Sequence, residues 1–174
     1  MSLCQACGLC CDGTMYLNAS LTKTDNLERL NELGIKPIPE GDKHYFNQPC
    51  PAFRLHQCSI YEERPTTCQK YRCALLKRHD AGDISSEKAL SLIRDMIELR
   101  DSVRHSVEHF LGIEGCFSLP ALFGLMVDKL KTDQDRFTNP QMQLDVGMLR
   151  VLLSRHFEPQ DTKLAVSAKE ETSQ

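Results

Sequence analysis

The sequence has no long apolar run, no targeting signal and none of the glycine-rich loops that bind phosphates. Its longest apolar-rich stretch, residues 116–127, is interrupted by Ser118 and Pro120 and is too short to cross a bilayer. It also has no dinucleotide fingerprint and no serine elbow, so the familiar enzyme classes lose support. Residues 1–4 contain neither a basic nor an apolar leader. We therefore expect a cytoplasmic protein that does not associate with membranes.

The charge balance argues against a nucleic-acid partner. The formal net charge is -3, with 21 basic and 24 acidic residues. A protein that binds mainly the phosphate backbone of nucleic acids is expected to be positively charged. Residues 54–79 are locally basic, but their aromatic residues are too few for a base-stacking surface. Because this stretch also contains cysteines, we expect its cations to lower thiol pKa values and to stabilise an anionic thiolate site.

Cysteine is unusually frequent, and its distribution along the chain is uneven. Eight of the 9 cysteines lie within the first 73 residues: Cys4, Cys7, Cys10, Cys11, Cys50, Cys58, Cys68 and Cys73. The first three follow the pattern C-x2-C-x2-C, whose spacing turns neighbouring thiolates toward one ion. Gly8 can take the positive φ that such a turn needs. The sequence therefore predicts a thiolate metal site.

The cysteine spacing leaves the metal and the number of sites open. A Cys-x2-Cys pair followed by glycine is typical of zinc, whereas three close cysteines and a distant Cys50 followed by Pro51 are also the ferredoxin arrangement of a [4Fe-4S] cluster. Cys10 and Cys11 are adjacent, so their side chains diverge, and we expect them to serve different sites, or one to bind metal while the other packs. Eight thiols suffice for one or two four-thiolate sites. A disulfide framework is the alternative, but no signal directs the chain to an oxidising compartment.

The cysteine pattern as a whole resembles the CxxCxxCC cysteine-cluster family, often called YkgJ-type proteins. The resemblance spans about residues 4–73 and includes all eight cysteines in order, with Pro51 after Cys50 and an Arg64-Pro65 pair before Cys68. Members of the family are described as zinc- or iron-chelating, and a similar cluster occurs in flagellin lysine methylases. The resemblance implies chelation by these cysteines.

The sequence predicts a mainly α protein with minor β structure. A cysteine-rich metal-binding module, 1–79, precedes a helical region, 84–158, and a flexible polar tail, 159–174. Apolar spacing and capping residues predict three helices in the second region, over 86–111, 118–131 and 140–157. We expect these helices to form most of the core.

The N-terminal module is predicted to contain short elements. Short strands are expected at 14–17, at 44–47 and at 59–61. A capping box at Thr22–Asp25 predicts a helix that ends at Gly34. Pro65 begins another helix, which should break between Cys68 and Cys73 if both bind one site, because five residues separate them by about 140° on a helix.

Four further residues are weaker candidates for a site. His105 and His109 complete an H-x-x-E-H motif, but both fall opposite the apolar stripe of their helix and should face water. Cys116 is expected to be a buried apolar residue rather than a nucleophile. His56 lies near Cys58, and with eight thiols available we expect it to be exposed or to support a ligand indirectly.

Two arginines have alternative interpretations. Arg64 either donates to the cluster or fixes the backbone ahead of a proline, and we favour the second. Arg100 lies within the apolar stripe of its helix, where it should extend its head to water or pair with the anionic cluster site.

The sequence thus indicates a metal-binding protein, with zinc or an iron-sulfur cluster as cofactor and an unspecified biological process. It leaves open whether a reaction is catalysed. The first hypothesis is a zinc-stapled module that presents a surface to a protein partner. The alternative is an iron-sulfur component of redox or electron-transfer chemistry, or an accessory to a metal-dependent enzyme.

Overall fold

Two hydrophobic cores organise the chain, one between the long helices and one behind a small sheet. The computed structural model describes residues 2–115, 117–132 and 139–159. Its helices are α1 Leu3–Cys7, α2 Leu27–Glu32, α3 Thr66–Lys70, α4 Ala74–Asp80, α5 Ser86–Leu111, α6 Leu119–Thr132 and α7 Pro140–His156. Its strands are β1 Asn18–Leu21, β2 Ile38–Glu40, β3 Lys43–Asn47, β4 Phe53–Arg54 and β5 Gln57–Cys58. Of the described residues, 55% are helical and 11% lie in strands, which confirms the mainly α fold with minor β structure.

The helical core forms where the sequence predicts it. Helix α5 begins after Ser85, whose side chain accepts a hydrogen bond from the Lys88 N–H, and ends at Gly112 with φ of 69°. Helix α6 begins directly after Ser118, and α7 has Pro140 in its first turn. These three helices contribute most of the buried residues of the helical core, as expected. No helix of the described residues has the length and apolar character needed to span a membrane.

Helix α7 is apolar on two opposite faces. One face, with Met142, Val146, Leu149 and Leu153, is buried in the helical core. The opposite face exposes Leu144, Met148 and Val151. Apart from Pro159, the predicted polar tail lies outside the described residues, as does Cys116.

The second core lies behind an antiparallel sheet of strand order β1-β3-β2. Strand β3 covers the predicted strand at 44–47 and pairs along β1 from Asn18 opposite Asn47 to Leu21 opposite His44. Strands β4 and β5 form a separate hairpin. Its two turn residues, Leu55 and His56, both have positive φ, the conformation of a tight hairpin turn.

Two predicted strands are wrong. At 14–17 the backbone is tied into the cysteine loop instead, because the Thr14 N–H donates to Asp12 Oδ1 and the Met15 N–H donates to the Leu9 carbonyl. The strand begins only at Asn18. At 59–61 the hairpin has already ended, since β5 stops at Cys58 and a 3-10 helix begins at Tyr61.

The predicted helix after Asp25 exists, but its cap is different. Asn26 caps α2 by accepting a hydrogen bond from the Arg29 N–H, and the helix ends at Glu32, two residues before Gly34. The Asp25 carboxylate accepts from the N–H and hydroxyl of Thr22 and, across the fold, from the N–H and hydroxyl of Thr66. Asp25 therefore caps the cysteine-bearing helix α3 from a distance.

We predict that Asp25→Ala lowers the free energy of unfolding by about 1–3 kcal/mol, because hydrogen bonds to a charged group are lost. Burial alone would raise the pKa of Asp25, but the bonds from Thr66 and Thr22 outweigh it and lower the pKa. The stabilisation should therefore be full above the unfolded pKa, about 3.9, and disappear as pH falls through the lower folded value. Urea denaturation of both proteins at several pH values measures this. A stability difference that is the same at pH 7 and at strongly acidic pH would contradict it.

Candidate metal centre

A short capped helix and a tight turn present the first four cysteines. Ser2 and Gln5 form a capping box on α1, which carries Cys4 and Cys7. The helix ends at Gly8, whose φ of 67° reverses the chain. The Cys11 N–H then donates to the Gly8 carbonyl at 2.7 Å, so Cys10 and Cys11 lie in the turn.

The phenyl ring of Phe53 closes over this turn. A Cβ atom built on Gly8 would lie 2.4 Å from the Phe53 ring, a distance that real side chains do not tolerate. Gly8 is thus required both for its backbone conformation and for the approach of the β4–β5 hairpin.

The second run of cysteines returns to the end of the first. The Cys50 N–H donates to the Cys11 carbonyl at 2.7 Å, directly after a cis peptide bond between Gln48 and Pro49. Cys58 pairs with Phe53 across the hairpin. The loop before Cys50 therefore returns the chain to the first cluster.

The cysteines surround two neighbouring cavities. The wide cavity, of about 310 Å³, is lined by six of them: Cys4, Cys10, Cys11, Cys50, Cys58 and Cys68. The narrow cavity, of about 40 Å³, is lined by five: Cys4, Cys7, Cys10, Cys11 and Cys73. Cys7 and Cys73 thus line only the narrow cavity, whereas Cys50, Cys58 and Cys68 line only the wide one.

Cys10 and Cys11 have different sulfur neighbours. The thiols that raise the pKa of Cys10 are Cys7, Cys11, Cys73 and Cys4, all of which line the narrow cavity. Those that raise the pKa of Cys11 most strongly are Cys50, Cys68 and Cys58 of the wide cavity. Both residues line both cavities, but Cys7 and Cys73 act on Cys10, whereas Cys50, Cys58 and Cys68 act on Cys11.

The two groups of cysteines also belong to different cores. Cys7 and Cys73 pack against the helical core, and Cys11, Cys50, Cys58 and Cys68 belong to the sheet core. Of the ferredoxin arrangement, Cys4, Cys10 and Cys50 line the wide cavity together, whereas Cys7 lines the narrow one. That arrangement stays a prediction.

The helix breaks between Cys68 and Cys73, as expected, but the two residues line different cavities. Helix α3 ends at Lys70 and α4 begins at Ala74, with Tyr71 extended between them. The Cys73 sulfur accepts the Leu76 N–H at the start of α4. The break thus divides the second run of cysteines between the two cavities.

All eight of these cysteines are free thiols, and burial raises the pKa of Cys4, Cys7, Cys10, Cys11, Cys50, Cys68 and Cys73. Burial, with Cys73 and Cys4 nearby, raises the pKa of Cys7 to about 12. Burial, with Cys50 and Cys58 nearby, raises the pKa of Cys68 to about 12. Without a cation these thiols remain protonated at neutral pH, so a metal must displace their protons.

The donor set fits a soft or borderline metal. In the described part of the chain, no histidine, aspartate or glutamate lines either cavity, so the only strong metal donors there are sulfur atoms. Such ligands suit zinc and iron-sulfur clusters. Within the same residues, no three potential ligands already converge on a common metal position. The cavity lined therefore separates Cys7 and Cys73 from Cys50, Cys58 and Cys68, while Cys4, Cys10 and Cys11 line both cavities.

Arg64 reaches the cluster instead of fixing the backbone. Its guanidinium lies 3.7 Å from the centre of the Tyr61 ring and lines the wide cavity. Its buried Nε and Nη1 atoms have no hydrogen-bond partner among the described residues. Burial raises the pKa of Cys4, and the nearby Arg64 charge opposes that rise. The favoured interpretation, in which Arg64 fixes the backbone ahead of Pro65, is therefore wrong for its Nε and Nη1 atoms, because neither donates to a carbonyl of the described residues.

Arg100 is buried and does not extend to water. Its Nη1 donates to Asp12 Oδ2, directly after Cys11, and its Nε lies 2.7 Å from Asp101 Oδ1. Only 7% of the Arg100 side chain and 12% of the Asp12 side chain are exposed. This ion pair fastens the cysteine loop to the middle of α5.

The remaining candidates lie away from the cavities. His105 and His109 are both exposed on α5, as the position of the motif opposite the apolar stripe predicts, and His56 is exposed in its hairpin turn. Sequence reasoning missed the tyrosine pair between the cavities. The Tyr16 and Tyr71 hydroxyls lie 2.6 Å apart, 55 residues distant in sequence, and no motif connects them.

We predict that Gly8→Ala destabilises the protein more than Gly34→Ala does. Both glycines have positive φ, which costs an alanine about 1–2 kcal/mol. A Cβ at Gly34 meets nothing within 4 Å, whereas at Gly8 it collides with Phe53. The collision should add about 1–3 kcal/mol. Urea denaturation measures both, and equal losses would contradict the contact with Phe53.

We further predict that Arg100→Met lowers the free energy of unfolding by about 3–5 kcal/mol, because Asp12 becomes a buried unpaired charge. Arg94→Met, at an exposed position of the same helix, should cost less than about 0.5 kcal/mol. Adding Asp12→Asn to Arg100→Met should recover part of the loss. Equal stability of the Arg94 and Arg100 variants would show that the pair contributes nothing.

The comparisons with known proteins agree with this centre. The family model CxxCxxCC, described as a putative zinc- or iron-chelating domain, matches residues 3–91. This span is just over half of the chain and contains both cavities' cysteines. No curated protein and no solved structure matches the chain. The chain belongs to the CxxCxxCC family, whose domain is named for the chelation of zinc or iron.

Proposed function

We propose that the protein binds two metal ions in two separate four-thiolate sites. The observation that carries this proposal is the divergence of Cys10 and Cys11 into different groups of thiols. The first set consists of Cys4, Cys7, Cys10 and Cys73. The second set consists of Cys11, Cys50, Cys58 and Cys68.

Cys4, Cys10 and Cys11 border both cavities. In this proposal Cys10 and Cys11 are assigned by the thiols that act on them, and Cys4 is assigned by the count. The wide cavity already has four thiols in Cys11, Cys50, Cys58 and Cys68, whereas Cys7, Cys10 and Cys73 need a fourth. Four protein ligands close the coordination of zinc, which is typical of a structural site. The narrow cavity, at about 40 Å³, has room for an ion and little else.

Zinc in both sites is the function that the geometry supports best. The zinc of the first set would join α1 to the start of α4, and that of the second would join the turn, the hairpin and α3. Each ion would supply cross-links where the N-terminal half has only short elements. Metal binding and the stability of this half should therefore be coupled.

An iron-sulfur cluster in the second set is the alternative, because the wide cavity exceeds the space that one ion needs. Its volume of about 310 Å³ and its all-cysteine donors suit a larger cofactor held by four thiolates. Iron with matching acid-labile sulfide, and visible absorption that a reductant bleaches, would favour this alternative.

The stoichiometry of single variants tests the assignment. The protein, purified without oxygen and analysed for zinc, iron and sulfide, should contain two ions per chain. Cys73→Ser and Cys68→Ser should each lose one ion, Cys4→Ser should resemble Cys73→Ser, and the double variant C68S/C73S should lose both.

Cys116→Ser, which alters the ninth cysteine, is the matched control and should retain two ions. One ion in the unaltered protein, or the loss of both ions in each single variant, would contradict two separate sites. Loss of a single ion from C68S alone, with C73S unaffected, would leave one site formed by the second set.

A further inference from the structure

We infer that the wide cavity also binds a small organic anion, with its carboxylate or phosphate group on Arg64 and its apolar body along the sheet core. The inference rests on the proposed function in one respect, namely that the second set holds a single ion and leaves space beside it. Nothing in the metal chemistry requires this space.

The size of the cavity is the first observation. Its volume of about 310 Å³ is that of roughly ten water molecules and lies at the lower end of small-molecule pockets, roughly 300–1,000 Å³. The narrow cavity nearby shows that four thiols do not need such space.

The second observation is a cation with two buried donor atoms that have no partner among the described residues. Arg64 is the only charged side chain among the described residues that line the wide cavity. Its Nε and Nη1 atoms are buried without partners, while its stacking on Tyr61 holds the guanidinium plane in place. Two donors of one guanidinium match the two oxygens of a carboxylate or phosphate. Leaving these two donors unpaired costs free energy, so a ligand that accepts hydrogen bonds from both binds more tightly.

Other polar groups of the cavity wall complete the site. Gln48 Oε1 is buried without a partner among the described residues and would accept from a donor on the ligand. The Tyr16 and Tyr71 hydroxyls share one hydrogen bond, so one of their two protons remains free to donate. Both tyrosines line the cavity.

The rest of the wall is apolar and defines the body of the ligand. Ala19, Ile35, Phe46, Phe53 and Ile60 line it, and all five belong to the sheet core or pack against it. Such a wall favours an aromatic or branched aliphatic group over a highly charged one. A monoanion with one apolar group is therefore the expected class, ahead of inorganic phosphate.

Ligand-observed NMR and calorimetry on the metal-loaded full chain test this inference. The probes are benzoate, phenyl phosphate, inorganic phosphate and the uncharged isostere benzamide. Benzoate or phenyl phosphate should bind saturably, and the tighter of the two identifies the head group. Benzamide and inorganic phosphate should bind at least tenfold more weakly. Arg64→Met should weaken binding by about tenfold to a hundredfold, the range for hydrogen bonds to charged groups.

Arg54→Met, at an exposed position of the hairpin, is the matched control and should bind like the unaltered protein. A second variant, Ala19→Phe, fills the cavity from β1 without changing a charge and should abolish binding while both ions remain. If Arg64→Met loses metal or fails to fold, the Ala19→Phe variant still tests whether the cavity binds the anion. Binding that survives Ala19→Phe, equal binding of benzamide, or no binding by the unaltered protein would overturn the inference.

Metal analysis of the same samples separates the two proposals. Two bound ions without anion binding would overturn only the inference. An ion count other than two, with anion binding that depends on Arg64 and Ala19, would overturn the two-site assignment and leave the anion site standing.

Discussion

The structure depends on the geometry of two adjacent residues. Side chains of neighbouring residues point in different directions, so Cys10 and Cys11, which both line the two cavities, differ in the thiols that act on them. Cys7 and Cys73 are among the thiols that raise the pKa of Cys10, and Cys50, Cys58 and Cys68 are those that raise the pKa of Cys11 most strongly. In the proposed function, the peptide unit between Cys10 and Cys11 separates two sets of four thiols.

Each set of thiols is joined to a hydrophobic core of its own. Cys7 and Cys73 lie against the helical core and the second set lies in the sheet core. The Arg100–Asp12 ion pair, together with the hydrogen bond from the Leu119 N–H to the Gly13 carbonyl, fixes the cysteine loop on the helices. The helical half thus supports the loop that carries Cys10 and Cys11.

Burial and charge act against each other at this centre. The apolar surroundings raise the pKa of Cys7 and Cys68 to about 12 in each case, so the thiols are neutral until a cation arrives. Displacement of their protons makes metal binding dependent on pH, with affinity that increases as pH rises. The free donors of Arg64 lie at the edge of the same group, where a positive charge can neutralise either thiolates or a bound anion.

The sequence by itself determined the elements whose signals are local. Ser118 and Pro140 predicted the starts of α6 and α7, because caps and proline act within one turn, and the apolar stripe predicted α5. The cysteine pattern predicted the family. Periodicity also placed His105 and His109 on the exposed face of α5.

Only the tertiary structure decided which distant residues meet. The pairing of Cys73 with the first cysteine loop, the remote cap that Asp25 provides to α3 and the contact of Tyr16 with Tyr71 each join segments more than 40 residues apart. The predicted strand at 14–17 failed for a local reason instead, since its backbone groups bond within the cysteine loop. Spacing along the chain carries no information on such contacts, because they depend on how two cores pack around one turn.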